Sequence, residues 1–178
     1  MTWIRQKLAA CGDRIVCHEA GKAWTYAEFI ELIDQTATQV PSKGGAVIEV
    51  QAPTTIEGLA MLLAIGETGN IALPLPPELP EAEQDKMRLI ANSSQLYNQL
   101  EGSGLVLFSS GTSGEPKGML HNLDALLSRY KNLCAREDRS LLLLLIDLLF
   151  LELDDLFRLV FFASLLFFDG LLLLFITK

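Results

Sequence analysis

The sequence predicts an α/β fold: a layered, parallel-rich sheet with flanking helices. Three observations carry that expectation. Short apolar runs at 46–50, 71–75 and 104–108 have the length of buried strands. Helical stretches lie between and around them, and those that start near 25, 55 and 122 open on hydroxyl or amide caps. Glycine and proline fall at the joins, where elements end. Strands separated by helices imply βαβ units and helices packed outside a largely parallel sheet.

The elements follow in order. Thr25-Tyr26-Ala27-Glu28 fits a capping box, a hydroxyl at the cap and a carboxylate three residues on. Phe29, Leu32, Ile33, Thr36, Ala37 and Val40 keep helical spacing, and Pro41 with Gly44-Gly45 ends that helix. Residues 46–50 form a β-rich run. Thr54-Thr55-Ile56-Glu57 suggests a second cap, followed by an apolar helix over 59–65 that Gly66 and Gly69 close. Residues 71–75 read as a strand with an extended, proline-rich exit, and 81–92 as a polar helix. A buried strand over 104–108, a loop over 109–118, a helix over 122–133 capped by Asn122 and a strand over 141–146 complete the series.

Composition bounds the function. With 178 residues the chain fits one domain with a sizeable core. Lys and Arg number 14 against 22 Asp and Glu, a formal charge of −8, which argues against a general nucleic-acid binder with its basic surface. Three cysteines, Cys11, Cys17 and Cys134, have no paired metal spacing and read as free thiols of a reducing, cytoplasmic setting. Two histidines, His18 and His121, exclude a His-rich metal centre. Charges interrupt the N-terminal residues before an apolar run develops, so no signal peptide is expected there.

Chemistry concentrates in one segment. Ser109, Ser110, Gly111, Thr112, Ser113, Gly114, Glu115, Pro116, Lys117 and Gly118 supply four hydroxyls, three glycines and a lysine within ten residues. Glycines let backbone N–H groups approach an anion, hydroxyls add donors, and the lysine adds a mobile positive charge. The set suits a di- or triphosphate. It is not a Walker A loop, because Gly114 precedes Lys117 by only three and Gly118 stands where a hydroxyl is needed. The alternative is a flexible Ser/Gly linker, against which Pro116, Lys117 and the strand just before the loop speak.

The stretch Leu105-Val-Leu-Phe-Ser-Ser-Gly-Thr-Ser-Gly-Glu-Pro-Lys-Gly118 resembles the signature loop of adenylate-forming enzymes, the AMP-binding superfamily of acyl-CoA synthetases, peptide-synthetase adenylation domains and luciferases. Trp24-Thr25-Tyr26-Ala27-Glu28-Phe29 is similar to that family's early helix start, and residues 65–75 resemble its segment leading into a proline-ended strand. The resemblance covers about 24–162. It implies ATP-dependent activation of a carboxylic acid to an acyl-adenylate with release of pyrophosphate, then transfer to coenzyme A or a carrier thiol, with Mg2+ accompanying ATP. It assigns Ser109, Ser110, Gly111, Thr112, Ser113, Gly114, Lys117 and Gly118 to the nucleotide, and makes Lys117 the catalytic cation on the leaving pyrophosphate. His121 stands where the family often has histidine or serine; a strand-end histidine bonded to backbone is the other reading.

The family pattern also implies parts that this sequence does not show: a Tyr-Gly-x-Thr-Glu motif, a later ribose-binding aspartate and a C-terminal domain carrying a catalytic lysine. At 148–151, where relatives show a histidine and two glycines, this chain has Leu148-Leu149-Phe150-Leu151. The expectation is therefore a truncated chain: an N-terminal subdomain over 1–140 and a divergent continuation over 141–178. A non-catalytic nucleotide- or partner-binding module is the alternative.

The continuation differs in composition. Of its 38 residues 17 are Leu and seven are Phe, with a single glycine, Gly170. Three readings stay open. Asp169-Gly170 can turn a hairpin between 165–168 and 171–176 and so close a shortened sheet. Residues 159–176 are long and apolar enough to span a membrane, with one charge, Asp169. The third reading is an aberrant, aggregation-prone segment. Glu152, Asp154 and Asp155 read as capping and solvated residues rather than a metal cluster.

Overall fold

The computed structural model describes residues 2–93, 102–110 and 116–128. Helix α1 (Thr2–Cys11) leads into strands β1 (Ile15–Glu19) and β2 (Lys22–Thr25), then α2 (Tyr26–Ala37), β3 (Val47–Gln51), α3 (Ile56–Glu67), β4 (Ile71–Leu75), α4 (Glu81–Ala91), β5 (Gly104–Ser110), β6 (Pro116–Asn122) and α5 (Leu123–Ser128). Strands β1 and β2 form an antiparallel pair; the other four make a sheet in the order β3-β4-β5-β6. β3, β4 and β5 run parallel, and β6 returns antiparallel to β5. The fold is thus the expected α/β architecture.

Alternation along the strands sends side chains to two faces. On one face Val50, Ala72, Leu105 and Leu107 join Phe29, Ile33, Leu59, Leu62, Leu63 and Leu126 in the larger core. On the other, Ile71, Leu73, Leu75 and Val106 pack against Ala91 and Met87 of α4. Helix α3 is apolar nearly all round because it lies between α2 and the sheet. Leu59, Leu62, Leu63 and Ile65 are each at most 1% exposed, and burial of each such side chain stabilises by about 1.5–3 kcal/mol.

The caps form as the sequence predicts. Thr25 accepts from the Glu28 amide at 3.2 Å while the Glu28 carboxylate accepts from the Thr25 amide at 2.8 Å. Thr55 caps α3 by accepting from the Gly58 amide at 3.1 Å. The Glu19 carboxylate adds a second acceptor at that terminus, taking the Ile56 amide hydrogen at 3.2 Å and so tying β1 to α3. Asn122 caps α5 through the Ala125 amide at 2.8 Å.

Two sequence expectations are corrected, and three elements are added. Gly66 is buried inside α3, and the cap residue is Thr68; Gly69 follows at φ +73° and lets the Asn70 amide turn back to the Ile65 carbonyl at 3.2 Å. The loop expected over 109–118 is shorter, because β5 extends to Ser110 and a strand not foreseen, β6, begins at Pro116. Helix α1 and the β1–β2 hairpin add to the elements that the sequence predicts. Their turn is Ala20-Gly21, with φ +49° and +79°, and alanine in that conformation is a poor signal for it. The strand expected over 141–146, the end of the helix at 129–133 and the hairpin at 165–176 lie outside the described residues.

Candidate functional site

The sheet presents its candidate chemistry at the end of the β5–β6 hairpin. β5 is fully buried at Leu105 and Val106 and runs out to Ser110. β6 comes back from Pro116. The register pairs Ser110 with Pro116, Ser109 with Lys117, Phe108 with Gly118 and Leu105 with His121. Ser109, Ser110, Lys117 and Gly118, four of the eight residues assigned to the nucleotide, are therefore brought together at two adjoining strand ends. Gly111, Thr112, Ser113 and Gly114, in the connection between them, lie outside the described residues.

Two-residue alternation separates the returning strand into two roles. Lys117, Met119 and His121 share one face; Gly118, Leu120 and Asn122 share the other. Lys117 is exposed, and among the described residues its ammonium has no ion-pair partner. His121 is half-buried opposite Leu105. A Cβ at Gly118 would stand 2.8 Å from Ile90 Cγ2 of α4 and 3.2 Å from Phe108 Cε1, so this glycine lets helix and strand come together. Ile90 and Phe108 join the surroundings of Gly118 only in the folded chain. The signal that bears on them is Gly118 itself, a glycine directly followed by the apolar pair Met119-Leu120.

Other candidates resolve into structural roles. Trp3 and Trp24 are half-buried against the larger core. Cys11 and Cys17 are free, half-buried thiols, and Cys134 lies outside the described residues. Burial, with Glu19 and Glu57 nearby, pushes the Cys17 thiol up from its ordinary value, which disfavours the reactive thiolate. Among the described residues no group of three His, Cys, Asp or Glu side chains gathers to hold a metal, and no helix is long and apolar enough to cross a membrane.

No family model matches the chain. Among curated proteins it is 25% identical over 140 residues to the dapdiamide synthesis protein DdaD of Enterobacter agglomerans, covering 65% of this chain and 24% of that protein. It is 27% identical over 131 residues to bacitracin synthase 1 of Bacillus licheniformis, covering 60% of this chain and 2% of that one. The chain thus spans a quarter or less of the length of these two relatives. Among solved structures, O-succinylbenzoate coenzyme A synthetase of Bacillus subtilis with its acyl-adenylate intermediate superposes with a TM-score of 0.57 at 16% identity, over 83% of this chain and 53% of that one. The N-terminal subdomain of Klebsiella oxytoca NpsA, bound to 3-hydroxyanthranilyl-AMSN, superposes with a TM-score of 0.51 at 19% identity, over 65% and 38%. In fold, the chain resembles the N-terminal portion of the adenylate-forming enzymes.

Proposed function

We propose that the chain is the N-terminal part of an ATP-dependent carboxylate-activating ligase, with the nucleotide's phosphates held at the β5–β6 connection. The observation that carries this reading is the pairing of Ser109 with Lys117 across a five-residue connection of glycines, hydroxyls and one carboxylate. The fold shared with the adenylate-forming enzymes supports it, and the B. subtilis synthetase has been solved with ATP and a magnesium ion.

In this reading a carboxylate oxygen of the acid attacks the α-phosphorus of ATP. A new O–P bond forms, the bond to the β-phosphate oxygen breaks, and pyrophosphate leaves with the electron pair. Backbone N–H groups and hydroxyls of 109–114 orient the β- and γ-phosphates, and Lys117 neutralises the charge that grows on the leaving group. Mg2+ would enter with ATP as part of the substrate, so few protein carboxylates would be needed to hold it. The acyl-adenylate then passes to the thiol of coenzyme A or a carrier, a step assigned to parts of the enzyme beyond the subdomain at 1–140.

Calorimetric titration of Mg-ATP into the folded 178-residue chain tests the reading, with Lys117→Ala and Gly114→Val as variants. Lys117→Ala is expected to weaken binding by about tenfold or more, the scale of a lost charge-assisted contact, and Gly114→Val to weaken it by adding bulk where backbone N–H groups would approach the phosphates. A folded wild-type chain that binds no Mg-ATP overturns it. Binding without acid-stimulated pyrophosphate exchange would favour the non-catalytic nucleotide-binding module.

A further inference from the structure

We propose that Ile90 of α4 is a positioning residue for the phosphate-binding hairpin, acting through Gly118 to set where Lys117 stands. The inference rests on the function proposed above. The point where a Cβ would sit on Gly118 lies 2.8 Å from Ile90 Cγ2, closer than real Cβ contacts come, and Phe108 closes the same space at 3.2 Å and 3.7 Å. At Gly118 helix and strand therefore meet side chain to backbone, while Leu120, two residues on, fills the same face against the cluster of Ala91 and Met87. The helix is a fixed reference. Ala91 is fully buried, Gln84 donates to the Leu79 carbonyl at 2.9 Å, and Arg88 reaches Glu49 of β3 at 2.9 Å. Lys117 is the next residue along β6 and projects from the opposite face, so a push on Gly118 from α4 moves its base directly. Displacements of this kind, well under the diameter of an atom, change reactions and binding that depend on placement.

The test reads Mg-ATP affinity by calorimetry alongside the thermal midpoint, in the full chain. Gly118→Ala introduces the methyl that meets Ile90 and is expected to weaken binding about tenfold. Adding Ile90→Ala removes Cγ2 and is expected to bring affinity back to within about threefold of Ile90→Ala alone, although two packing changes now accumulate in the midpoint. In a Lys117→Ala background, Gly118→Ala is expected to have no further effect on affinity, which a merely structural glycine would not produce. Should Gly118→Ala fail to fold, single variants decide: Ile90→Ala is expected to lower affinity about threefold, while Ile90→Val, which keeps the contacting methyl, leaves it unchanged. Wild-type binding that Gly118→Ala leaves intact, or a loss that Ile90→Ala does not relieve, overturns the positioning role alone. Absence of wild-type binding overturns the nucleotide site and this inference with it.

Discussion

The side-chain oxygen of Asn70 accepts the backbone amide hydrogen of Ala46 at 3.0 Å, bridging the end of α3 and the start of β3. The same side chain donates to the Pro41 carbonyl at 2.7 Å and to the Thr68 hydroxyl at 2.9 Å, and its backbone carbonyl receives the Gly104 amide at 3.0 Å. Asn70 is fully buried, so each bond replaces water that cannot reach it. The side chain thus ties the Pro41 carbonyl and the start of β3 to the end of α3, and the backbone carbonyl of the same residue meets the start of β5.

Asn70→Ala leaves the Ala46 amide and the Pro41 carbonyl without these partners. The expected loss is about 2–3 kcal/mol in urea unfolding, with an unchanged slope. Asn70→Asp should be at least as damaging, since a carboxylate cannot donate to the Pro41 carbonyl. A loss below about 0.5 kcal/mol for either variant would mean that the three segments are placed by apolar packing alone.

The capping box at α2 gives a pH dependence with a defined sign. The bond from the Thr25 amide, then Lys22, holds the Glu28 carboxyl below its ordinary value of 4.5. A group with a lowered folded pKa stabilises fully above its unfolded value and loses that contribution as pH falls through the folded value. Glu28→Gln keeps an acceptor for the Thr25 amide but has no charge to titrate. Wild type should therefore be the more stable above about pH 5, and the gap should close as pH falls toward about 3. A gap that stays constant across that range would remove the charge from the explanation.

The β1–β2 turn carries an avoidable strain. Ala20 sits at φ +49°, a region where an L side chain costs about 1–2 kcal/mol. Glycine relieves that cost and returns part of it as unfolded-state entropy. Ala20→Gly, or Ala20→Asn, which tolerates the conformation, should raise stability by about 0.5–1 kcal/mol, read as the chemical-denaturation midpoint. A lowered midpoint for both would show that the native turn does not hold this backbone.

Local rules made much of the fold legible. The Thr25–Glu28 and Thr55 caps, the apolar periods of α2 and α3 and the strand at 71–75 all rest on neighbours within a few residues. The same holds for the serine, glycine and lysine content of the candidate site. What escaped was set by partners far along the chain. β6 looks like the end of a loop until β5 supplies its hydrogen bonds, and α1 lacks a first-turn acidic residue and is anchored by Ile4 and Leu8 in the core.

The amino-acid sequence by itself determined the α/β class, the position of the caps and the presence of a hydroxyl- and glycine-rich phosphate-type segment ending in Lys117. Those properties depend on residue type and short spacing, which a chain carries with it before it folds. Only the tertiary structure decided that Ser109 faces Lys117, that Gly118 lies beneath Ile90, and that Asn70 joins three segments. These are contacts between residues up to 34 positions apart. No local pattern encodes such a meeting; it exists once helices have covered both faces of the sheet and excluded water from between them.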